Sequence, residues 1–476
     1  MTRRTLLIFS IFVFLNGCTM IPKYTRPEAP IPTGWPSGPA YNEPGSVPSD
    51  QLGADLKWRE FFADERLHEI IEAALQNNRD LRVAALNVER ARALYGIQRA
   101  ELLPTVEATV SSLKERVPAK FSGTGRSVTV EQYSVDLGIS SWEIDFFGRI
   151  RSLEKRALEE YLATDEARRA AQILLVSEVA NAYLTLAADR ENLKLARSTL
   201  ETQQAAHNVI RRRHEVGLVP ELDVRQVQTR VDAARVDVAL YTQLTAQDEN
   251  GLNLLAGSPV PADLLPETLS VVAPLPDVSP GTSSEVLLRR PDILQAENLL
   301  KASNANIGAA RTAFFPRISL TTAIGTASGD LSDLFQTGSL AWSYAPKIVM
   351  PIFDARTWSA LKATKVEREI ALTQYEAAIQ AAFRDVADAL AKMGTVGDQM
   401  AAQQSLVDAT AETYRLSNLR YEKGTDIYLN VLDAQRSLYA AQRDLIAIRL
   451  SKLANQVRLY AVLGGGSDSV TPSEGE

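Results

Sequence analysis

Four short stretches alternate apolar and polar residues with a period of two, and much longer stretches without that alternation lie around them. In Tyr133 to Ile139 the apolar positions are Tyr133, Val135, Leu137 and Ile139, with Ser134, Asp136 and Gly138 between them. Ile318, Leu320, Thr322 and Ile324 alternate with Ser319, Thr321, Ala323 and Gly325. Leu340, Trp342, Tyr344 and Ile348 alternate with Ala341, Ser343 and Lys347, and a weaker run surrounds Val106, Ala108 and Val110. This alternation predicts strands with one apolar face, at about 105–117, 129–142, 317–327 and 338–350. The polar segments Lys120 to Ser127 and Ser328 to Thr337 predict hairpin loops. Arg149 to His214 and Thr357 to Lys423 are rich in Ala, Leu, Glu and Arg and contain no proline. They predict helices over 149–214 and 357–423, with partner helices over 220–256 and 426–463. At 1.5 Å per residue, such a helix is a rod of about 100 Å.

The chain is written twice. Arg213-His214-Glu215-Val216-Gly217-Leu218 aligns with Arg420-Tyr421-Glu422-Lys423-Gly424-Thr425, and the same offset pairs Phe146 with Phe353, Arg149 with Arg356 and Gln228 with Gln435. A nearby offset pairs Gly96 with Gly308 and Arg99 with Arg311. The repeats span 58–257 and 283–466, and the proline-rich segment 258–282 reads as a linker. Each half is a helix, two strands, a long helix, a short turn and a second long helix. Turn chemistry supports the hairpins: cations at Arg211 to Arg213 and Lys423 suit a helix C-terminus. Gly217 and Gly424 suit the left-handed position after it. Pro220 restarts one partner helix, and Thr425 or Asp426 is expected to cap the other.

The N-terminus bears on compartment. Arg3 and Arg4 precede an apolar run from Leu6 to Leu15, a pattern that predicts a signal peptide over 1–17 and is too short to span a bilayer. Cys18 is the single cysteine, so no internal disulfide is available. Standing after Leu15-Asn16-Gly17, it resembles the lipobox of bacterial lipoproteins, which implies cleavage before Cys18 and its acylation. Asn16 is less usual there, and the alternative is an ordinary signal with an incidental cysteine. Thr19 in place of Asp favours the outer membrane by the usual sorting pattern. Pro22 to Pro48 holds eight prolines, which predicts an extended arm across 18–57 between anchor and body. Residues 467–476 read as a disordered tail.

The net charge of −7 falls to −9 once Arg3 and Arg4 are removed, which argues against a nucleic-acid partner. No later segment approaches 18 consecutive apolar residues, so membrane crossing falls to strands. One chain supplies four strands, and the smallest barrels have eight. Open edges cannot stay unpaired in lipid, so the barrel must be closed with further copies of the chain, in a cyclic arrangement.

From about Trp58 to Gly466 the sequence resembles the outer-membrane efflux factor family, the TolC-like and OprM-like channels of tripartite pumps. The resemblance rests on the duplicated plan and on the motifs at Arg420 to Thr425, Tyr428 to Arg436, Arg290 to Asp292 and Ala313 to Arg317. It implies a mainly α fold with a membrane β-barrel portion, three copies sharing a barrel of twelve strands and a periplasmic tunnel of twelve helices. It implies a homotrimer in the outer membrane, a periplasmic adaptor protein, and an inner-membrane transporter, commonly proton-driven, exporting small molecules. It also implies a periplasmic aperture lined by carboxylates after the second hairpin turn, which falls on Asp433, with Arg436 beside it and Leu429 as an apolar constriction. Asn430 departs from the version of the motif with Asp at both ends. The bland reading of Asp433 and Arg436 is an exposed ion pair within one helix. Gly217, Leu218, Gly424 and Thr425 mark hairpin tips, which in the family face the adaptor, although helix termination alone accounts for both glycines.

No catalytic chemistry is legible. His68, His207 and His214 are scattered, and nucleophile-elbow, Walker and zinc-protease motifs are missing. Asp145-Phe146-Phe147-Gly148 resembles a kinase motif only superficially. No cofactor is expected beyond the lipid on Cys18. Two rival functions remain at this stage: a duct for polypeptide secretion, and a lipid-tethered periplasmic coiled-coil scaffold.

Overall fold

The computed structural model describes residues 19–41, 56–281 and 283–465. In chain order the main elements are α1 (Trp58–Phe61), α2 (Glu65–Asn77), α3 (Arg79–Ala100), β1 (Val106–Val117), β2 (Val128–Glu143), α4 (Arg149–Glu215), α5 (Glu221–Ala256), α6 (Pro291–Thr312), β3 (Arg317–Ser328), β4 (Leu340–Val349), α7 (Ala355–Glu422) and α8 (Tyr428–Val462). Every strand and long helix lies within two residues of its expected bounds. Short 3-10 turns at Ser284–Arg289 and Leu331–Asp333 precede α6 and β4.

The compact units cut across the sequence repeats. One, the strand-bearing unit, takes Asn87–Thr164 and Ala296–Tyr375 with the arm as far as Glu28. The other, the hairpin unit, takes the described residues within Ala29–Leu86 and Asp165–Gln295, and those from Glu376 to Gly465. The reason is physical: neither repeat can complete a sheet with its own strand pair, so both repeats contribute to each unit.

In the strand-bearing unit the four strands form one antiparallel sheet in the order β1-β2-β3-β4, and the β2–β3 ladder joins the repeats. Val110, Val135, Thr326 and Leu340 lie in register across it, as do Ala108, Leu137, Ile324 and Trp342. One face is therefore apolar from edge to edge. A bulge between Ile139 and Trp142, with Ser141 at φ 57°, inserts a residue and brings Trp142 opposite Leu320 on that same face. At the base of the sheet Glu143 accepts two hydrogen bonds from Arg149, at 2.8 and 3.0 Å, and pairs with Arg317 at 3.1 Å. Asp145 accepts the backbone N–H groups of Ile150 and Arg151 at 3.1 and 2.9 Å, so its role in the Asp145 to Gly148 motif is to cap α4. Residues 19–41, the described part of the arm before 56, form no helix or strand, and this segment is docked. Asn304 donates to the Pro22 carbonyl at 2.8 Å, and Tyr24 and Arg26 both bond the buried Glu297.

In the hairpin unit Val176, Val179, Ala180, Tyr183, Leu184 and Ala187 are all buried, so the most apolar stretch of α4 faces protein. The expected linker also packs: Leu265, Leu269, Leu275 and Val278 are buried, and Gln456 donates to Asp277 at 2.9 Å. Asp189 on α4 neighbours Asp248 on α5, and burial with that neighbouring carboxyl raises Asp248 to about 6. A raised carboxyl favours the protonated form in the fold, so its stabilisation is complete below pH 4 and lost as pH rises through about 6. Asp248→Asn is accordingly expected to raise the melting temperature at pH 7.5 and leave it unchanged at pH 4. After discounting for solvent screening the gain is about 1 kcal/mol. Equal melting curves at both pH values would refute this.

Candidate functional site

Two surfaces bear on function. The first is the apolar face of the sheet. Val110, Leu137, Ile324, Leu340, Trp342, Tyr344 and Ile348 are all exposed, and Trp342 retains 74% of its surface. A face this apolar and this open is unusual for a water-soluble surface and is the lipid-facing pattern of a membrane strand. The opposite face carries small or polar residues: Ser134, Asp136, Gly138, Ala323, Gly325, Ala341 and Ser343. Past Val110 the apolar register of β1 continues as Ser112, Lys114 and Arg116, and Lys114 pairs with Glu131 across the ladder. Charge thus ends the apolar band on the loop side.

The second surface is the pair of helix turns in the hairpin unit. At α4–α5 the N–H groups of Gly217 and Leu218 donate to His214 and Arg213 carbonyls, both at 2.8 Å, with Gly217 at φ 76°. At α7–α8 Gly424 and Thr425 donate in the same way to Tyr421 and Arg420, at 2.9 and 3.0 Å, with Gly424 at φ 70°. Both turns are Schellman motifs, in which a residue with a Cβ would be strained. Neither Thr425 nor Asp426 caps α8. Ile427 holds that position without a side-chain cap, the Thr425 hydroxyl turns back to the Arg420 carbonyl, and Asp426 pairs with Arg420. Pro220 occupies the position just before α5.

The tips are joined. Ile210, Val227 and Leu432 form a small core against which Val219, Val224, Tyr421 and Tyr428 pack. Arg213 donates to the Tyr421 hydroxyl at 2.7 Å and lies 5.4 Å from that ring's centre. Burial pushes the Tyr428 hydroxyl up to about 12. Residue periodicity could not reveal this joint, which spans 208 positions. A signal existed in the duplication, where Tyr421 and Tyr428 stand opposite His214 and Glu221.

Leu429, Asp433 and Arg436 fall at i, i+4 and i+7, on one face of α8. Val431, Leu432, Ala434 and Gln435 are buried on the other side. Asp433 pairs with Arg436 at 3.3 Å, and Arg230 of α5 approaches it at 3.9 Å. The Asp433 and Arg436 side chains are 54% and 64% exposed, so within one chain the pair is worth only a few tenths of a kcal/mol. Their counterparts in the first repeat, Gln226 and Thr229, carry no charge. Arg230 was not anticipated from sequence. Cys18 lies outside the described residues. Among the described residues no cluster of His, Cys, Asp and Glu could hold a metal ion.

A profile of the outer membrane efflux proteins matches residues 70–258 and 282–465. The chain is 48% identical over 465 residues to the toluene efflux pump outer membrane protein TtgC of Pseudomonas putida, covering 97% of this chain and 96% of that protein. Among solved structures, a membrane protein from Pseudomonas aeruginosa superposes with a TM-score of 0.88 at 39% identity, over 94% of this chain and 100% of the other. The open state of the MtrE outer membrane channel of Neisseria gonorrhoeae gives 0.84 at 36% identity, over 95% of this chain and 99% of the other.

Proposed function

The chain belongs to the outer membrane efflux protein family, and on that premise we propose that it is the outer-membrane channel subunit of a tripartite efflux pump, working as a homotrimer. It is a transport component and not an enzyme. One observation carries the reading: an antiparallel sheet with an exposed apolar face and two edge strands, β1 and β4, that have no partner strand among the described residues. In lipid each unpaired backbone group costs several kcal/mol, so those edges must be closed. Four alternating strands leave β1 and β4 running in opposite directions, so β1 of a second copy adds to β4 antiparallel, head to tail, and the additions close as a ring. Three copies give the twelve-stranded barrel and twelve-helix tunnel that the family resemblance implies. The small and polar residues of the other sheet face then line the lumen.

Full-length protein in detergent is expected to run as a trimer by native mass spectrometry and to conduct ions in planar bilayers. A monomer that conducts would overturn the reading, since four strands cannot enclose a pore.

The cargo is a small toxic molecule, delivered by a proton-driven inner-membrane transporter through a periplasmic adaptor. Support comes from similarity along nearly the whole chain to a protein named for toluene efflux, which favours small molecules over polypeptides. The exposed apolar sheet face disfavours a tether that never enters the membrane. The tips at Gly217, Leu218, Gly424 and Thr425 offer the adaptor exposed apolar side chains, among them Val216, Leu218, Leu222 and Ile427. Asp433, Arg436 and Leu429 form the periplasmic aperture. Cys18 is the acylated N-terminus, anchoring each subunit to the outer membrane. Palmitate labelling is expected on the wild type and not on Cys18→Ser, while the variant still inserts, because strands and not the lipid cross the membrane. An unlabelled wild type would refute the lipid anchor.

A further inference from the structure

Within the strand-bearing unit the arm, α6 and the early turns of α7 enclose a cleft of about 360 Å³, whose charged lining is Lys23, Arg311, Lys362, Lys365, Arg368 and Glu369. Five cations against one carboxylate give it a net charge of +4, in a chain whose own net charge is −7. Arg368 spends one N–H on Glu369 at 2.7 Å, and Arg311 donates to the Met20 carbonyl at 3.2 Å. Lys23, Lys362 and Lys365 have no hydrogen-bond or ion-pair partner among the described residues. Unpaired ammonium groups around one cleft repel each other, and an anion between them would turn that repulsion into attraction.

We propose that this cleft binds the phosphate headgroup of an anionic phospholipid in the periplasmic leaflet of the outer membrane. Its place along the chain favours a lipid. Arg311 stands six residues before Arg317, the first residue of β3, and Lys362 seven residues beyond Ala355, the first of α7. That puts Lys362, Lys365 and Arg368 about 10, 15 and 20 Å along the helix from its start, on the turns of α7 that follow the strands. Pro22, one of the lining residues, follows Cys18 by four residues, a chain reach of at most about 14 Å. The chemistry also fits an amphiphile, because Pro22, Ile307 and Val366 add an apolar part to the lining. Basic clusters beside a membrane attract anionic lipids in this way. A bound headgroup would tie the docked arm to α6 and α7 at the level of the membrane surface. This inference rests on the outer-membrane placement of the family and not on the number of subunits in the barrel.

The test uses full-length protein in detergent, titrated with phosphatidylglycerol or phosphatidylethanolamine and read by native mass spectrometry. Phosphatidylglycerol is expected to bind about tenfold more tightly than phosphatidylethanolamine. Lys23→Gln, Lys362→Gln and Lys365→Gln together should abolish that preference. Because all three side chains are unpartnered, the variant should assemble as the wild type does, which the same spectra report. Removing three lysines outside the cleft (Lys57→Gln, Lys392→Gln, Lys452→Gln) should leave the preference intact. Equal binding of the two lipids by the wild type would overturn the proposal, as would an undiminished preference in the cleft variant or a lost one in the control. Full displacement of the lipid by millimolar inorganic phosphate would identify a free-anion site and overturn it equally.

Discussion

Replacing Gly325 with valine is expected to abolish the membrane-inserted oligomer. Gly325 lies on β3 directly opposite Asp136 of β2. A Cβ there would fall 2.0 Å from the Val135 carbonyl oxygen and 2.7 Å from the Asp136 Cα, and both are backbone atoms that no rotamer change can move. Gly138 makes the reciprocal approach from β2, where a Cβ would meet the Thr322 carbonyl oxygen at 2.4 Å. The β2–β3 ladder is the link between the repeats in this sheet, so losing it leaves two separate hairpins instead of four paired strands. Two isolated hairpins have four open edges, and in lipid every unpaired backbone group along them costs several kcal/mol. Gly96, in α3, provides the control. No atom lies within 4 Å of its Cβ position, and alanine there is expected to be neutral or slightly stabilising. The measurement is the yield of heat-sensitive oligomer in outer membranes. A normal yield from Gly325→Val would show that the sheet does not need that close approach.

The strands were legible because alternation survives wherever one face is buried in a single medium. In β2, Tyr133 to Ile139 keeps strict register. β1 read weakly, because its apolar register gives way to Ser112, Lys114 and Arg116, where a charged pair with Glu131 closes the band. The bulge was invisible. Strict alternation from Ile139 would put Trp142 on the polar face, and only the extra residue at Ser141 returns it to the apolar one. The hairpin glycines were readable for a local reason, since a left-handed turn residue is chosen within five or six positions. The contacts that join the tips were not, because Arg213 and Tyr421 meet only after the long helices fold. Proline content likewise excluded a helix at 19–41, while the docking of that segment depends on side chains such as Asn304, nearly three hundred positions away.

Removing Asp433 and Arg436 together is expected to raise single-channel conductance severalfold and to lower cation preference. Inside one chain their pairing has little energetic value: the two groups are 3.3 Å apart on one helix, both more than half exposed, with Arg230 at the edge of contact. If they matter, they matter between chains. Three carboxylates around a common axis make a ring that attracts cations and repels anions, and each arginine can bridge to the next subunit. The first repeat carries Gln226 and Thr229 at the matching positions, so such a ring would come from α8 alone and would carry three charges instead of six. Asp232 and Arg235 on α5 supply a matched control, with the same i,i+3 spacing, a 3.0 Å separation and exposures of 57% and 55% for arginine and aspartate. Alanine at both control positions should change neither conductance nor selectivity. An Asp433→Ala, Arg436→Ala channel that assembles normally and conducts like the control would return the pair to an ordinary solvated helix face. A rise confined to the α8 variant would place the narrowest charged part of the pathway at Asp433.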